Sequence, residues 1–428
     1  MSLYSNGNKI SKMYVNGNSI ESLYANGSCI FNSNEDQTDK YIEFTGNGWL
    51  RPHSAYTSTA FGISTNRELY TLEDGVWTRW TSGAKQLPVK LRSVIKSTGS
   101  ASVYTNFGVY TTASGTVLAD NIWCAGDMRY MALTGSVNAV PSFTIPYNYC
   151  FANMFRGMTN LNRTPRLPFT EVLTASYYYM FYGCTSLTDA PELPATTLAS
   201  QCYYYMFGGC TGLLIASELP ATTLASQCYG NMFNGCTNLY EVQDLPADIL
   251  DSSCCIRMFY GCTSLTEAPE LPATTMVASC YNSMFSGCIS LTEAPELPAD
   301  ILNTSCYYSM FSGCISLTEA PELPATTLNT QCYAYMFSGC TSLTEAPELP
   351  ATTMAASCYT YMFNGCTSLT EAPELPATTM VASCYAYMFY GCTSLTEAPE
   401  LPATALGSQC YFHMFNGCAS LTEAPELP

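Results

Sequence analysis

The chain has 428 residues, of which only 11% are charged and 13% aromatic, with 32 Tyr and a formal net charge of −18. The charge sits in residues 149–428, which hold 23 Asp and Glu against four Arg and no Lys; residues 1–148 hold 10 acids and 11 bases. Such an acidic array repels nucleic-acid phosphates and anionic lipid, and no apolar run approaches the roughly 18 residues a membrane span needs, so nucleic-acid binding and membrane insertion are excluded as expectations.

Residues 1–31 repeat with a period of ten, as LYSNGNKISK, MYVNGNSIES and LYANGSCIF. Asn6-Gly7, Asn16-Gly17 and Asn26-Gly27 are strong hairpin signals, because a type I′ turn needs positive φ at both central residues. The segment is expected to form a small β-meander, or a ladder completed by neighbouring chains, since a few short strands are marginal alone. The opening MSLYSNGNKI has none of the parts of a secretory leader, which predicts folding in a cytosol.

Residues 32–140 follow a polar linker, SNEDQTDK, and contain short β-like runs at 41–45, 68–71, 76–80, 87–95, 101–109 and 116–123. Their spacing predicts a small β-sandwich-like domain that caps the repeats. Asp74-Gly75 closes the hairpin ELYTLEDGVWTRW, whose Trp77, Arg79 and Trp80 read either as hairpin packing or as an aromatic platform for a carbohydrate or peptide.

Residues 141–428 are organised by Met-Phe, which recurs from Met154-Phe155 to Met414-Phe415 in eleven copies exactly 26 residues apart. A fixed period of that length predicts an α/β solenoid of stacked coils, giving an α+β chain overall. In each coil the segment Leu265–Pro272 is extended. The segment Met276–Phe285 is predicted helical, from Cys280/Met284 and Tyr281/Phe285 at i,i+4, with Ser279 as N-cap and Gly287 as the left-handed terminator. The last copy stops at Leu427-Pro428 without its second half, so the array is expected to continue or to be covered by a partner.

Two cysteine columns follow the period, one from Cys150 to Cys410 with Ser176 inside it, the other from Cys184 to Cys418 headed by Met158. The substitutions and the Cys-x7-Cys spacing fit reduced core thiols rather than zinc ligands or bridges. Glu267/Glu270 and their counterparts recur in seven TEAPELP segments. An active site is singular, so repeated carboxylates point to a solvated edge. No catalytic set, metal motif or cofactor motif is present.

The Met, Phe, Gly and Leu positions barely change, whereas two positions before Met-Phe vary among Tyr, Asn, Ser, Ala and Arg, and the position after Phe varies likewise, with Arg156, Tyr182, Gly208, Asn234 and Tyr260 among its occupants. Tyr178, Tyr179, Tyr204, Tyr205, Asn231, Arg257, Tyr308, Tyr335, Tyr361, Tyr387 and His413 are the candidate binding face. Tyr, Ser and Asn are the vocabulary of adaptable recognition surfaces; the competing reading is a tolerant exposed face.

The pattern MFxGCTSLTxAPxLPATTLAxxCYxYMFxGC resembles the BspA-like leucine-rich repeats, including the related Met-Phe-x-Gly-Cys surface repeats, of gut and oral bacteria. ELYTLEDGVWTRW is similar to the β-domain that often precedes them. This resemblance implies surface adhesion to a protein or glycan, without catalysis. The opening decapeptides resemble N-terminal segments of structural proteins of crAss-like and related gut phages. That implies a virion appendage, such as a tail or head fibre, attached to other virion proteins by residues 1–31, oligomeric, and presenting its repeats to a host surface. The alternatives are a bacterial cell-surface adhesin and, as an enzyme, a polysaccharide depolymerase.

Overall fold

A computed structural model describes short strands within residues 4–32, and residues 41–47, 49–54, 57–61, 67–95, 106–110, 122–134, 136–139, 141–423 and 425. The N-terminal strands form three separate antiparallel pairs, Tyr4–Ser5 with Asn8–Lys9, Met13–Val15 with Asn18–Ile20, and Ser22–Ala25 with Ser28–Asn32. Each pair flanks one Asn-Gly. Among the described residues the pairs are not joined into one meander.

Two sheets follow. The larger runs, in spatial order, through Val76–Trp80, Arg67–Glu73, Val89–Ile95, Ile42–Thr45, Ile122–Gly126 and Leu161–Arg163. The smaller contains Lys85–Gln86, Trp49–Ser54, Thr57–Phe61 and Asn106–Tyr110. Strand 67–73 alternates, burying Arg67, Leu69 and Thr71 and leaving Glu68, Tyr70 and Leu72 half-exposed, as expected for a sheet with one face on a core. Trp80 is buried and its indole N–H donates to Ser82 and Gly83 carbonyls, so it belongs to no surface platform. Trp77 instead lies under the Arg92 guanidinium, 4.5 Å from the ring centre, and beside Tyr41.

The larger sheet passes directly into the repeats. Strand Ile122–Gly126 pairs in parallel with Leu161–Arg163 of the first coil, and Phe107 N–H donates to the Met154 carbonyl at 3.0 Å. Phe44, Phe107 and Phe155 form one aromatic contact group across the junction.

Among the described residues the repeats contain no α-helix and the one helical element is a 3-10 turn at Met128–Met131, so the helices that the expected α+β class and α/β coils require are not formed. The predicted helical half is a row of four-residue turns. Within one coil, the N–H groups of Cys202, Tyr204, Met206, Gly208 and Cys210 each donate three residues back at 3.0–3.3 Å. The alternate N–H groups, of Gln201, Tyr203, Tyr205, Phe207 and Gly209, donate to Ser226, Cys228, Gly230, Met232 and Asn234 of the next coil at 2.7–3.0 Å. Half of the amides thus close turns and half join coils, so every backbone donor in this stretch is satisfied without a helix.

Every fourth residue makes the ribbon possible by taking positive φ: Ser279, Ser283 and Gly287 in one coil, and their equivalents in the others. The first two such columns hold φ of 51–59°, within the left-handed well that ordinary residues can enter at a cost. The third lies at 70–85° and is always Gly. A helix cannot contain such residues. The i,i+4 spacing of the buried side chains reflects a period of exactly four, whereas a helix would rotate by about 40° at each such step.

The core is built of columns. Phe155 through Phe415 stack ring on ring, 5.1–5.8 Å between centres and within 7° of parallel. A second column runs Phe151, Tyr177, Tyr203, Tyr229, then Cys255 in place of a ring, then Tyr281 to Tyr411. Aromatic pairs of this kind each contribute about 0.5–1.5 kcal/mol beyond the area they bury.

Candidate functional site

The candidate face is decided by the second positive-φ column. Asn153, Tyr179, Tyr205, Asn231, Arg257, Ser283, Ser309, Tyr335, Tyr361, Tyr387 and His413 all occupy it. Each therefore sits at the same strained corner of its coil, and all but His413, in the last coil, project from a backbone whose N–H is already bonded to the next coil. The Met and Phe that follow this corner are buried in every coil but the last, where Phe415 is half-buried. Variation is concentrated where the backbone is most constrained and the side chain least.

Tyr178, Tyr179, Tyr204, Tyr205, Tyr308, Tyr335, Tyr361 and Tyr387 are half-buried, Arg257 and His413 exposed, and Asn231 buried at 4% exposure. Asn231 is thus part of the floor; its side-chain carbonyl accepts from Asn234 Nδ2 at 3.1 Å.

The structure gathers the tyrosines into two ladders. In the first, Tyr178 stacks on Tyr204 (5.4 Å) and Tyr179 on Tyr205 (4.8 Å), with Tyr182 packed against both Tyr179 and Tyr205. Glycines make the room: a Cβ on Gly230, one coil on, would lie 2.8 Å from the Tyr204 ring, and one on Gly208 would lie 2.7 Å from the ring of Tyr205 in its own coil and 3.0 Å from that of Tyr182 one coil back. In the second, Tyr335, Tyr361 and Tyr387 stack at 4.7 and 4.3 Å and continue onto His413 at 5.3 Å, while Tyr308 meets Tyr335 at a tilt. Ser283 and Ser309 separate the ladders.

Arg156 and Tyr182, from the variable column that follows Phe, are brought onto this face as well. The Arg156 guanidinium lies over Tyr179 (4.7 Å) and Tyr182 (5.1 Å) and donates to Asn153 Oδ1 at 3.1 Å. Burial raises the hydroxyl pKa values of Tyr204 and Tyr205, and the positive charge of Arg257 works against that rise.

The cysteines lie away from this face. The 22 described cysteines are free, and all but Cys418 are buried. The second column has a specific role: from Cys184 to Cys418, each thiol donates to the Phe carbonyl 29 residues back, at 3.0–3.2 Å. Among the described residues no group of three His, Cys, Asp or Glu is placed to hold a metal ion, and no helix is long and apolar enough to cross a membrane.

A constant scaffold with this register matches one family. The model for the BspA type leucine rich repeat region fits the chain in six copies, over residues 136–249, 252–347 and 304–424. The chain belongs to the BspA-type leucine-rich repeat family. Neither a curated protein nor a solved structure matches it. Repeats of this family are typical of surface adhesin-like proteins and typically non-enzymatic.

Proposed function

We propose that this BspA-type repeat protein is a non-enzymatic recognition array, displaying two tyrosine ladders on stacked coils to bind a host-cell-surface protein or glycan. The observation that carries this reading is the second positive-φ column, where Tyr, Asn, Arg, Ser and His alternate at one geometric position while the flanking Met and Phe stay fixed. Scaffold and display are thereby separated residue by residue. Weak contacts repeated along the coils and across copies of an oligomer would give avidity.

The finer placement is a virion appendage, with residues 1–31 docking to other virion proteins and residues 32–140 capping an elongated solenoid; a bacterial cell-surface adhesin is the alternative. The decapeptide hairpins support the first, the repeat family the second. Binding of the labelled chain to a panel of gut bacteria tests recognition. Tyr179→Ser with Tyr205→Ser, and Tyr361→Ser with Tyr387→Ser, should each weaken cell binding severalfold while the chain still unfolds in one cooperative transition at a lower midpoint, because stacked rings are lost; binding equal to wild type by both double variants refutes the ladders as the contact. Detection of the chain in purified phage particles, against detection in bacterial envelopes, separates the two placements.

A further inference from the structure

We propose that the first ladder, from Arg156 to Arg257, is an extended site for an acidic polysaccharide. This rests on the recognition reading above and adds the chemistry of the ligand. Residues 149–428 contain four arginines and no lysine against 23 acids, yet two of those four cations bracket one five-tyrosine cluster. Among the described residues neither is paired with a carboxylate: Arg156 rests on the Tyr179 and Tyr182 rings, and Arg257 lies 5.8 Å from the centre of Tyr260. Their charge is available to a ligand, because 22 of the 23 carboxylates of residues 149–428 lie outside the Met276–Phe285 half and its equivalents, Asp251 being the exception.

The geometry narrows the class further. Tyr178/Tyr204 and Tyr179/Tyr205 stack on each other, so their ring faces are largely spent and their edges and hydroxyls remain. Phenol hydroxyls and the Asn234 amide both donate and accept, which suits sugar hydroxyls, while guanidinium suits carboxylate or sulfate. A peptide strand finds no open edge, because Asn153, Tyr179, Tyr205 and Asn231 N–H groups are already bonded to the next coil. The two arginines stand four coil steps apart, each of 5.1–5.6 Å along the Phe column, so the fitting ligand is a chain of several sugars.

The test is binding of the full chain to immobilised polygalacturonate, dextran sulfate, neutral dextran and poly-L-glutamate. Arg156→Asn and Arg257→Ser place residues that the same columns carry in other coils, and urea unfolding checks that the fold is retained. The expected result is binding to polygalacturonate or dextran sulfate, weakened at least tenfold by either variant, with none to dextran. Tyr361→Ser with Tyr387→Ser, in the arginine-free ladder, should weaken that binding less than either arginine variant does. Wild-type failure on both acidic polymers, equal binding by the arginine variants, or equally tight binding of poly-L-glutamate overturns the inference. Cell binding that depends on the tyrosines but not on the arginines would leave the recognition reading standing and remove the acidic ligand alone.

Discussion

The Cys314 thiol donates to the carbonyl of Phe285, 29 residues earlier and one coil down, at 3.2 Å. That carbonyl also accepts from the Cys288 amide within its own coil, so the thiol supplies the hydrogen that occupies the second lone pair of a buried acceptor. A small side chain with a weak donor is needed there, which is why cysteine recurs. In the first coil the position is Met158, with no Phe carbonyl of an earlier coil to reach. Cys314→Ala should therefore cost about 1–2 kcal/mol, from the lost hydrogen bond and the small void, read as a lower urea midpoint. Met158→Ala should differ by leaving the thiol–carbonyl network untouched, so that thiol reactivity in the native state does not change.

The thiol columns also set a pH limit. Burial pushes the thiols of Cys210, Cys288, Cys306, Cys358 and Cys366 up to about 12, with backbone hydrogen bonds working against it. Their unfolded value is near 9. Between the two, the unfolded chain has released protons that the folded chain retains, so it binds fewer, and stability falls as pH rises. Below pH 9 the contribution is complete and flat. Urea midpoints should be constant between pH 7 and 8 and fall steeply from about 9 upward; a midpoint unchanged at pH 10.5 would show that the thiols are not protonated in the fold.

The stacking of units and the strand–turn character of the N-terminal segments were legible because they depend on strict period and on Asn-Gly chemistry. The turn ribbon was not. Cys280, Met284 and Cys288 fall at the same spacing in a helix and in a chain of four-residue turns, and the side chains alone do not separate them. The discriminating evidence was present in residues that repeat at four, Ser279, Ser283 and Gly287, all tolerant of positive φ. The strands at 49–54 and 57–61 were missed because Pro52 and the polar Thr57–Thr59 run carry no alternating apolar signal. The variable columns, with Tyr182 and Arg156 among them, were legible by their variation, but which rings stack on which, and that Arg156 lies over Tyr179 and Tyr182, follows only from the fold.

The positive-φ columns predict opposite effects for substitutions that look alike. Ser309→Gly relieves a left-handed residue at φ 53° and should be neutral to stabilising by up to about 1 kcal/mol. Gly339→Ala places a Cβ at φ 77°, with the nearest atom 3.7 Å away, so its cost is conformational rather than steric and about 1–2 kcal/mol. Ser309→Val should exceed both, since a β-branched residue is least tolerant there. Thermal unfolding of the three variants gives the order directly.

The carboxylate edge should respond to salt. Glu267 and Glu293 are bridged in parallel register, which sets like charges side by side along the coils. Like-charged neighbours in register destabilise, by about 0.2–1 kcal/mol per pair at low ionic strength, and screening removes the effect. Glu267→Gln with Glu293→Gln should raise the melting temperature at 10 mM NaCl and leave it unchanged at 500 mM. The same gain at both concentrations would assign it to packing instead.

The junction between the sheets and the first coil depends on Arg67. It is buried at 2% exposure, and its guanidinium donates to Ser93 Oγ at 2.8 Å, to the Met131 carbonyl at 2.7 Å and to the Cys150 carbonyl. Cys150 belongs to the first coil, so one side chain joins three segments. Two effects compete on substitution: orphaned carbonyls cost about 1–3 kcal/mol each, while removing a buried charge recovers part of its desolvation. Arg67→Met loses the donors and the charge together; Arg67→Lys keeps the charge and gives up the planar fork. Lysine should therefore be the worse substitution, by about 1 kcal/mol or more. In both variants amide exchange should rise first at Phe151 to Phe155, where the coil leans on the sheet, and remain unchanged beyond the third coil. Exchange rising evenly along the whole array would mean that Arg67 stabilises the chain globally rather than seating its first coil.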